Sequence, residues 1–168
     1  MNIRPMTAED AAALFELRRQ ALHDSPFAFS ASPEDDVWSS VDAVRARLQP
    51  STDAIVFGAI EDRLAGMVGM TRFARVKERH KAYIWSVFVR PEYRGRGIAF
   101  QLLQAAIAHA RTMPGVDVLQ LSVNETTPAA QSVYEKCGFV VWGVEPDGLR
   151  HAGRSTSERH MSLDLRGG

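Results

Sequence analysis

Apolar positions in the first third of the chain recur with the spacing of helices. Leu14, Leu17 and Ala21 lie three and four residues apart, which predicts one face of an amphipathic helix that ends at about Leu22. A second apolar face predicts a shorter helix over residues 39–49, which a proline follows. The first third of the chain is therefore predicted to be mainly helical.

The spacing changes in the middle of the chain, where runs rich in β-branched and aromatic residues predict strands. These predicted strands cover residues 54–60, 64–73 and 81–89, and they could pair as an antiparallel meander. A short opening strand is predicted near Ile3. Pro91 follows the last strand of the meander and ends it, because proline cannot donate to a strand ladder.

The second half of the chain alternates helices and strands. The predicted helices cover 97–111 and 128–137, and the predicted strands cover 116–123, 139–144 and 159–165. The polar stretch 145–158 is interpreted as a loop. The element order β-αα-βββ-αβ-αββ predicts an α+β fold whose sheet is antiparallel early and has a parallel crossover late.

Composition narrows the class of protein. A chain of 168 residues is expected to form one domain, residues 1–168, and its 20 basic and 20 acidic side chains give zero net charge. That balance argues against nucleic-acid or membrane-surface partners. The single cysteine, Cys137, leaves no disulfide and no usual zinc cage, so no metal is expected. No apolar run predicts a signal peptide or a membrane span, and the expected location is cytoplasmic.

The segment Arg90–Ala99 carries the clearest chemical signal. It joins a predicted strand to a predicted helix, and Gly95 and Gly97 remove side chains where the helix begins. Unpaired amides at a helix start bind anions, and three arginines (Arg90, Arg94, Arg96) add positive charge. We interpret the segment as a cradle for a diphosphate. The alternatives are a plain turn with solvated arginines and a generic anion- or nucleotide-binding domain.

Two motifs in this part of the chain resemble one family. Arg94-x-x-Gly97-x-Ala99, after the strand Val87-Phe88-Val89, is similar to the motif with which the GNAT family of N-acetyltransferases binds the pyrophosphate of acyl-CoA. The later segment Val133–Phe139, which contains Tyr-Glu-x-x-Gly-Phe, resembles the family's next strand-helix element. The two motifs occur in the expected order, and the densest resemblance spans residues 83–139.

The resemblance implies the GNAT-type acyl-CoA N-acyltransferase fold. This is a mixed, mostly antiparallel twisted sheet flanked by helices and splayed between the fourth and fifth strands. It also implies an enzyme that transfers the acetyl group of acetyl-CoA, its cosubstrate, directly to a primary amine of a small molecule or peptide. A non-catalytic acyl-CoA-binding sensor on the same fold is the alternative. Whether the protein forms a homodimer is left open.

The resemblance also assigns residues. Tyr134 is the expected general acid, because a phenol keeps its proton at neutral pH and can give it to a departing thiol; a purely structural core tyrosine is the alternative. An N–H near Phe88 or Val89 is expected to polarise the thioester carbonyl. The expected cofactor-binding residues are Val87, Phe88, Val89, Arg94, Gly95, Arg96, Gly97, Ile98, Ala99, Asn124 and Thr127.

The sequence departs from the family at the position that usually holds the pantetheine arm. The family has an asparagine seven residues before the tyrosine, and this chain has Thr127 there. Either Thr127 or Asn124, at the strand end, is a candidate replacement. Thr127-Pro128 also suits a helix N-cap.

The acceptor side is less well defined by the sequence. His80, Glu78 and Glu34 are candidate proton acceptors for the amine, and each also suits a solvated surface position. In a narrower group of the family, the loop after the first helix and a hairpin before Glu-x-His-Met-x-Leu-x-Leu, here residues 158–165, wall the acceptor site. The loop is residues 27–36, for which a plain helix connection is the alternative.

Overall fold

Seven strands and four helices form in the predicted order, in a computed structural model that describes residues 1–167. The strands are β1 (Asn2–Pro5), β2 (Ala54–Ile60), β3 (Leu64–Arg72), β4 (Lys81–Val89), β5 (Val118–Asn124), β6 (Val140–His151) and β7 (Arg154–Asp164). The helices are α1 (Ala11–Asp24), α2 (Val41–Arg47), α3 (Ile98–Thr112) and α4 (Pro128–Lys136).

All seven strands belong to one sheet, in the order β1-β2-β3-β4-β5-β7-β6. The meander predicted for β2, β3 and β4 is confirmed, and β4 and β5 form the parallel pair. That parallel pairing covers only residues 81–83 of β4 and 118–120 of β5. The two strands separate beyond Tyr83, which leaves the sheet open at its centre and confirms the expected fold.

Apolar side chains fill both faces of the sheet. Leu102, Leu103 and Ala106 of α3 are fully buried against one face, and Leu14 and Leu17 of α1 are fully buried against the other. Each fully buried Leu side chain contributes roughly 1.5–3 kcal/mol to folding. The apolar faces predicted from the helical spacing therefore pack α1 and α3 on opposite faces of the sheet. None of the helices within residues 1–167 is long and apolar enough to cross a bilayer.

The prediction of a loop over residues 145–158 is wrong, because β6 and β7 pair as one long hairpin. Its turn consists of Ala152 and Gly153, both with positive φ (48° and 76°). β6 is an edge strand whose side chains are mostly exposed. A strand that water reaches on both faces does not need alternating apolar residues, so the sequence lacked that signal.

Candidate active site

The opening between β4 and β5 forms a cleft of about 850 Å³. The first turn of α3 lies along this cleft, and so does Tyr134 of α4. The wall between them comes from the second half of β4 and from the start of α4. The cleft therefore joins the predicted anion cradle to the predicted general acid.

The start of α3 presents backbone amides to the cleft. Gly95 and Gly97 have φ of 76° and 75°, in the left-handed region that favours glycine. A Cβ built on either residue meets no atom within 4 Å, so the space beside them is open to a ligand. The first helical hydrogen bond runs from the Gln101 amide to the Gly97 carbonyl at 3.1 Å. The amides of the preceding turn have no partner within the helix and suit an anion.

The three arginines of the cradle play different structural roles. Arg90 is buried and is used by the fold: it bonds the Leu64 carbonyl at 2.9 Å and pairs with Glu16 of α1 at 2.9 Å. Arg96 stacks over the Tyr93 ring, and its guanidinium bonds a nearby backbone carbonyl. Arg94 borders the cleft. The prediction that Arg90 adds positive charge to the anion cradle is therefore wrong, because its guanidinium is paired with Glu16 and does not line the cleft.

The free edge of β4 offers polar groups to the cleft. The Arg90 amide donates to Ala65 of β3 at 2.9 Å, and backbone groups of successive residues in a strand point to opposite edges. The groups of Phe88 therefore point to β3, and those of Val89 and Val87 point to the cleft. Val89 offers its amide there, since its carbonyl already accepts from Arg94 Nε at 3.0 Å.

A bulge in β4 distorts this edge. The register with β3 shifts between Met67 and Gly69, and Ser86 adopts φ of 54°. Bulges re-aim backbone groups and often lie beside active sites. The Ser86 hydroxyl accepts from Arg18 Nη1 at 2.5 Å, which ties the bulge to α1.

Arg18 is held by a buried ion pair. Its Nε and Nη2 donate to the two carboxylate oxygens of Asp36 at 2.9 and 3.0 Å. Its guanidinium also lies over the rings of Phe29 and Trp38, at 5.0 and 5.9 Å from their centroids. Asp36, the last residue of the loop 27–36, therefore supports the bulge through Arg18.

Asp36→Asn is expected to destabilise the protein by about 3 kcal/mol, because it leaves the buried Arg18 charge without a counter-charge. Thermal unfolding should occur about 10 °C lower. Asp35→Asn is the matched control, since Asp35 is exposed and its carboxylate bonds only Ser32. Equal losses in the two variants would contradict a structural role for the buried pair.

Tyr134 lies where the cleft ends, and its ring is buried against Phe139 with centroids 6.3 Å apart. Burial raises the pKa of the Tyr134 phenol well above its usual 10, with smaller contributions from Tyr83 and Cys137. A phenol in this environment is protonated at neutral pH and suits a proton donor. Burial also raises the pKa of the Cys137 thiol, which makes it a poor nucleophile.

The two candidates for the pantetheine contact are both hydrogen-bonded within the protein. Asn124 Nδ2 donates to Thr156 Oγ1 at 2.8 Å, and Asn124 Oδ1 accepts from the amide and hydroxyl of Thr126. The Thr127 hydroxyl donates to the Asn124 carbonyl at 2.9 Å and does not cap α4. Thr127 borders the cleft, whereas Asn124 borders a second cavity.

That second cavity, of about 260 Å³, adjoins the cleft at Tyr134 and Thr127. Residues 28–31 of the loop after α1 form part of its wall, as the resemblance implies for an acceptor site. Glu158 of β7 also lines it, and burial raises the pKa of this carboxyl, an effect that His160 partly offsets. The phenol of Tyr134 therefore lies between two adjoining spaces.

The residues of the second cavity that were not predicted as site residues include Tyr83, Ser122 and Glu158. Tyr83 and Ser122 fall on regular strands, where sequence alternation does not identify a cavity. The predicted proton acceptors His80, Glu78 and Glu34 line neither this cavity nor the cleft. Glu78 instead faces Lys81 at 3.6 Å.

Comparison with known proteins shows the family and the fold of this chain. The model of the Acetyltransferase (GNAT) family matches residues 13–139 of the chain. The mycothiol acetyltransferase of Salinispora arenicola is 30% identical over 145 residues, which are 84% of this chain and 44% of that protein. The chain thus spans less than half the length of this relative.

Solved structures have the same fold. An acetyltransferase of the GNAT family from Streptococcus pneumoniae superposes with a TM-score of 0.87 at 26% identity, over 97% of this chain and 98% of that one. A phosphinothricin acetyltransferase from Sinorhizobium meliloti, solved in complex with acetyl-CoA, gives 0.84 at 18% identity, over 98% and 88%. At that identity the second likeness concerns the fold alone.

Proposed function

The chain belongs to the acetyltransferase (GNAT) family, and on that premise we propose that it transfers the acetyl group of acetyl-CoA to a primary amine of a small molecule or peptide. The observation that carries the proposal is that the cleft and the second cavity adjoin at the phenol of Tyr134. A cleft that begins at free helix amides ends at Tyr134, and an acceptor-sized cavity begins there.

The residues of the cleft fit acetyl-CoA as cosubstrate. The amides of residues 95–99 are proposed to bind its pyrophosphate, since they combine the helix dipole with open space beside Gly95 and Gly97. The Arg94 amide already donates to the Pro91 carbonyl at 3.2 Å. Val87 and Val89 are proposed to bond the amides of the pantetheine arm, as an added strand would. A β4 amide at or just after the bulge, at Val87 or Val89, is proposed to polarise the thioester carbonyl.

The proposed reaction is direct attack with proton donation by Tyr134. The amine nitrogen bonds to the carbonyl carbon, the carbon–sulfur bond breaks, and the electron pair of that bond stays on sulfur. Tyr134 gives its proton to this sulfur, and the phenolate takes one back from the nitrogen, which loses a proton as the amide forms. A thiolate, whose conjugate acid has a pKa near 8.5, is a weaker base than a phenolate, so breaking of the carbon–sulfur bond drives this transfer and the pKa difference does not.

The proposed acceptor is a small amine that enters the cavity as a protonated, cationic ammonium. The cavity is small, and Glu158 supplies a carboxylate at its wall, whereas the one arginine in that wall, Arg18, is already neutralised by Asp36. An ammonium group entering beside Glu158 would therefore meet net negative charge. This supports amines over anionic acceptors.

Thiol release from acetyl-CoA is expected with at least one amine in a panel of alkylamines, aminoglycosides and peptides with free N-termini. The expected kcat is on the order of 1 per second or more, with no release when the amine is omitted. Tight calorimetric binding of acetyl-CoA without release across the panel would instead favour an acyl-CoA-binding sensor. Competition by ATP as strong as that by CoA would favour a generic anion site.

A further inference from the structure

A chain of hydrogen bonds runs from the smaller cavity to solvent across four adjacent strands. The Tyr83 hydroxyl donates to Ser122 Oγ at 2.9 Å, and Ser122 Oγ lies 3.0 Å from His160 Nδ1. His160 Nε2 lies 2.8 Å from Glu145 Oε2. Ser122 and His160 are directly opposed in the pairing of β5 and β7, so the regular sheet fixes their distance.

The order of donors along this chain runs from the Tyr83 hydroxyl to the Glu145 carboxylate, which can only accept. Because Tyr83 donates to Ser122 Oγ, the hydrogen of Ser122 is free to point to His160 Nδ1. Nδ1 is then the acceptor, and Nε2 carries the hydrogen that faces the Glu145 carboxylate. A carboxylate that orients a histidine with its basic nitrogen toward a hydroxyl is the arrangement of an activated proton acceptor.

The two ends of the chain lie in different environments. Tyr83 and Ser122 line the cavity proposed for the amine. The side chains of His160 and Glu145 are 27% and 53% exposed, so a proton that reaches them can pass to water. The chain therefore connects the proposed acceptor cavity to bulk solvent through a single hydroxyl and a single imidazole.

We infer that His160 receives, through Ser122, the proton that the acceptor ammonium loses before it attacks; this inference rests on the proposed function. The N–H bond of the ammonium breaks, its proton binds Ser122 Oγ, and the proton of Ser122 moves to His160 Nδ1. The amine nitrogen keeps the electron pair that it needs for attack. The imidazolium faces Glu145 and then releases its proton to water.

Carboxylates face His160 from two strands. The titratable groups that face it are Glu145 from β6, Glu158 from its own strand, and Tyr83 from β4 beyond Ser122. Within residues 1–167, neither carboxylate forms an ion pair with a lysine or arginine, and the Arg159 guanidinium bonds Gln131 instead. The proton that His160 accepts is therefore placed between two carboxylates that carry no other ion pair.

Ser122→Ala and His160→Gln test the relay with the amine that the wild type acetylates fastest. We expect kcat/KM for the amine to fall about 100-fold in each variant at neutral pH, with KM for acetyl-CoA unchanged. The deficit should shrink below about threefold as the pH approaches about 10, near the pKa of an alkylamine, where the free base no longer needs an acceptor. Ser162→Ala, on the same strand as His160, is the control and should keep the wild-type profile.

A deficit that is the same at every pH would overturn the relay and leave a structural role for these side chains. An independent readout is the tautomer of the His160 ring, measured by ¹⁵N NMR on the full chain. A hydrogen on Nε2 supports the relay, and a hydrogen on Nδ1 in the neutral ring reverses its direction and overturns it. If no amine is acetylated, the proposed function fails, while the tautomer still decides whether the relay has the required direction.

Discussion

Gly97→Glu is expected to weaken acetyl-CoA binding by at least about 10³-fold, because it places a carboxylate and a strained backbone in the diphosphate cradle. Gly97 has φ of 75°, and the space beside it is open. A glutamate side chain would fill that space and repel the pyrophosphate at the point where the helix amides converge. Isothermal titration calorimetry with acetyl-CoA measures the change directly.

Gly153→Glu provides a control of matched chemistry. Gly153 has φ of 76°, is exposed, and has no atom within 4 Å of a built Cβ, but it lies in the turn between β6 and β7. The two substitutions add the same charge and similar backbone strain, so they should lower the unfolding temperature by similar amounts. Comparable affinity for acetyl-CoA in the two variants would place the diphosphate away from α3.

The elements around the cradle could be predicted from the sequence because local and tertiary preferences agree there. Apolar spacing gave α3 to within one residue at each end, and the run at residues 81–89 gave β4 without error. The sequence predicted strands at residues 139–144 and 159–165 but not their continuation through residues 145–158, since this exposed part carries few alternating apolar residues. Pairing of the two strands, and not burial of their side chains, forms that part of the sheet.

The site was only partly predictable for a similar reason. Residues that contribute backbone groups, such as Gly97, follow from a local motif. Side-chain partners that are distant in the sequence do not follow from a local motif. Asp36 reaches Arg18 from a loop, and His160 bonds Ser122 although it lies 38 residues later in the chain. Such pairs depend on sheet order and register, which composition and spacing do not specify.

Tyr134→Phe is expected to lower kcat about 10³-fold with little change in KM for acetyl-CoA, because it removes the proton donor and keeps the ring. The ring packs against Phe139, and the phenylalanine preserves that contact. Burial holds the pKa of the Tyr134 phenol above its usual 10, so the wild-type acid is protonated throughout the neutral range. Rapid-quench measurement of acetyl transfer separates this chemical step from product release.

Cys137→Ala, one turn further along the same face of the α4 region, is the control for this prediction. Burial raises the pKa of the Cys137 thiol, so this side chain should take no part in acetyl transfer, and the variant should keep the wild-type rate. Loss of activity in Cys137→Ala would indicate an acyl-cysteine route in place of direct attack. A single-turnover rate in Tyr134→Phe equal to that of the wild type would show that the departing sulfur receives its proton from another group. The two variants together thus distinguish direct attack assisted by a phenol from both alternatives.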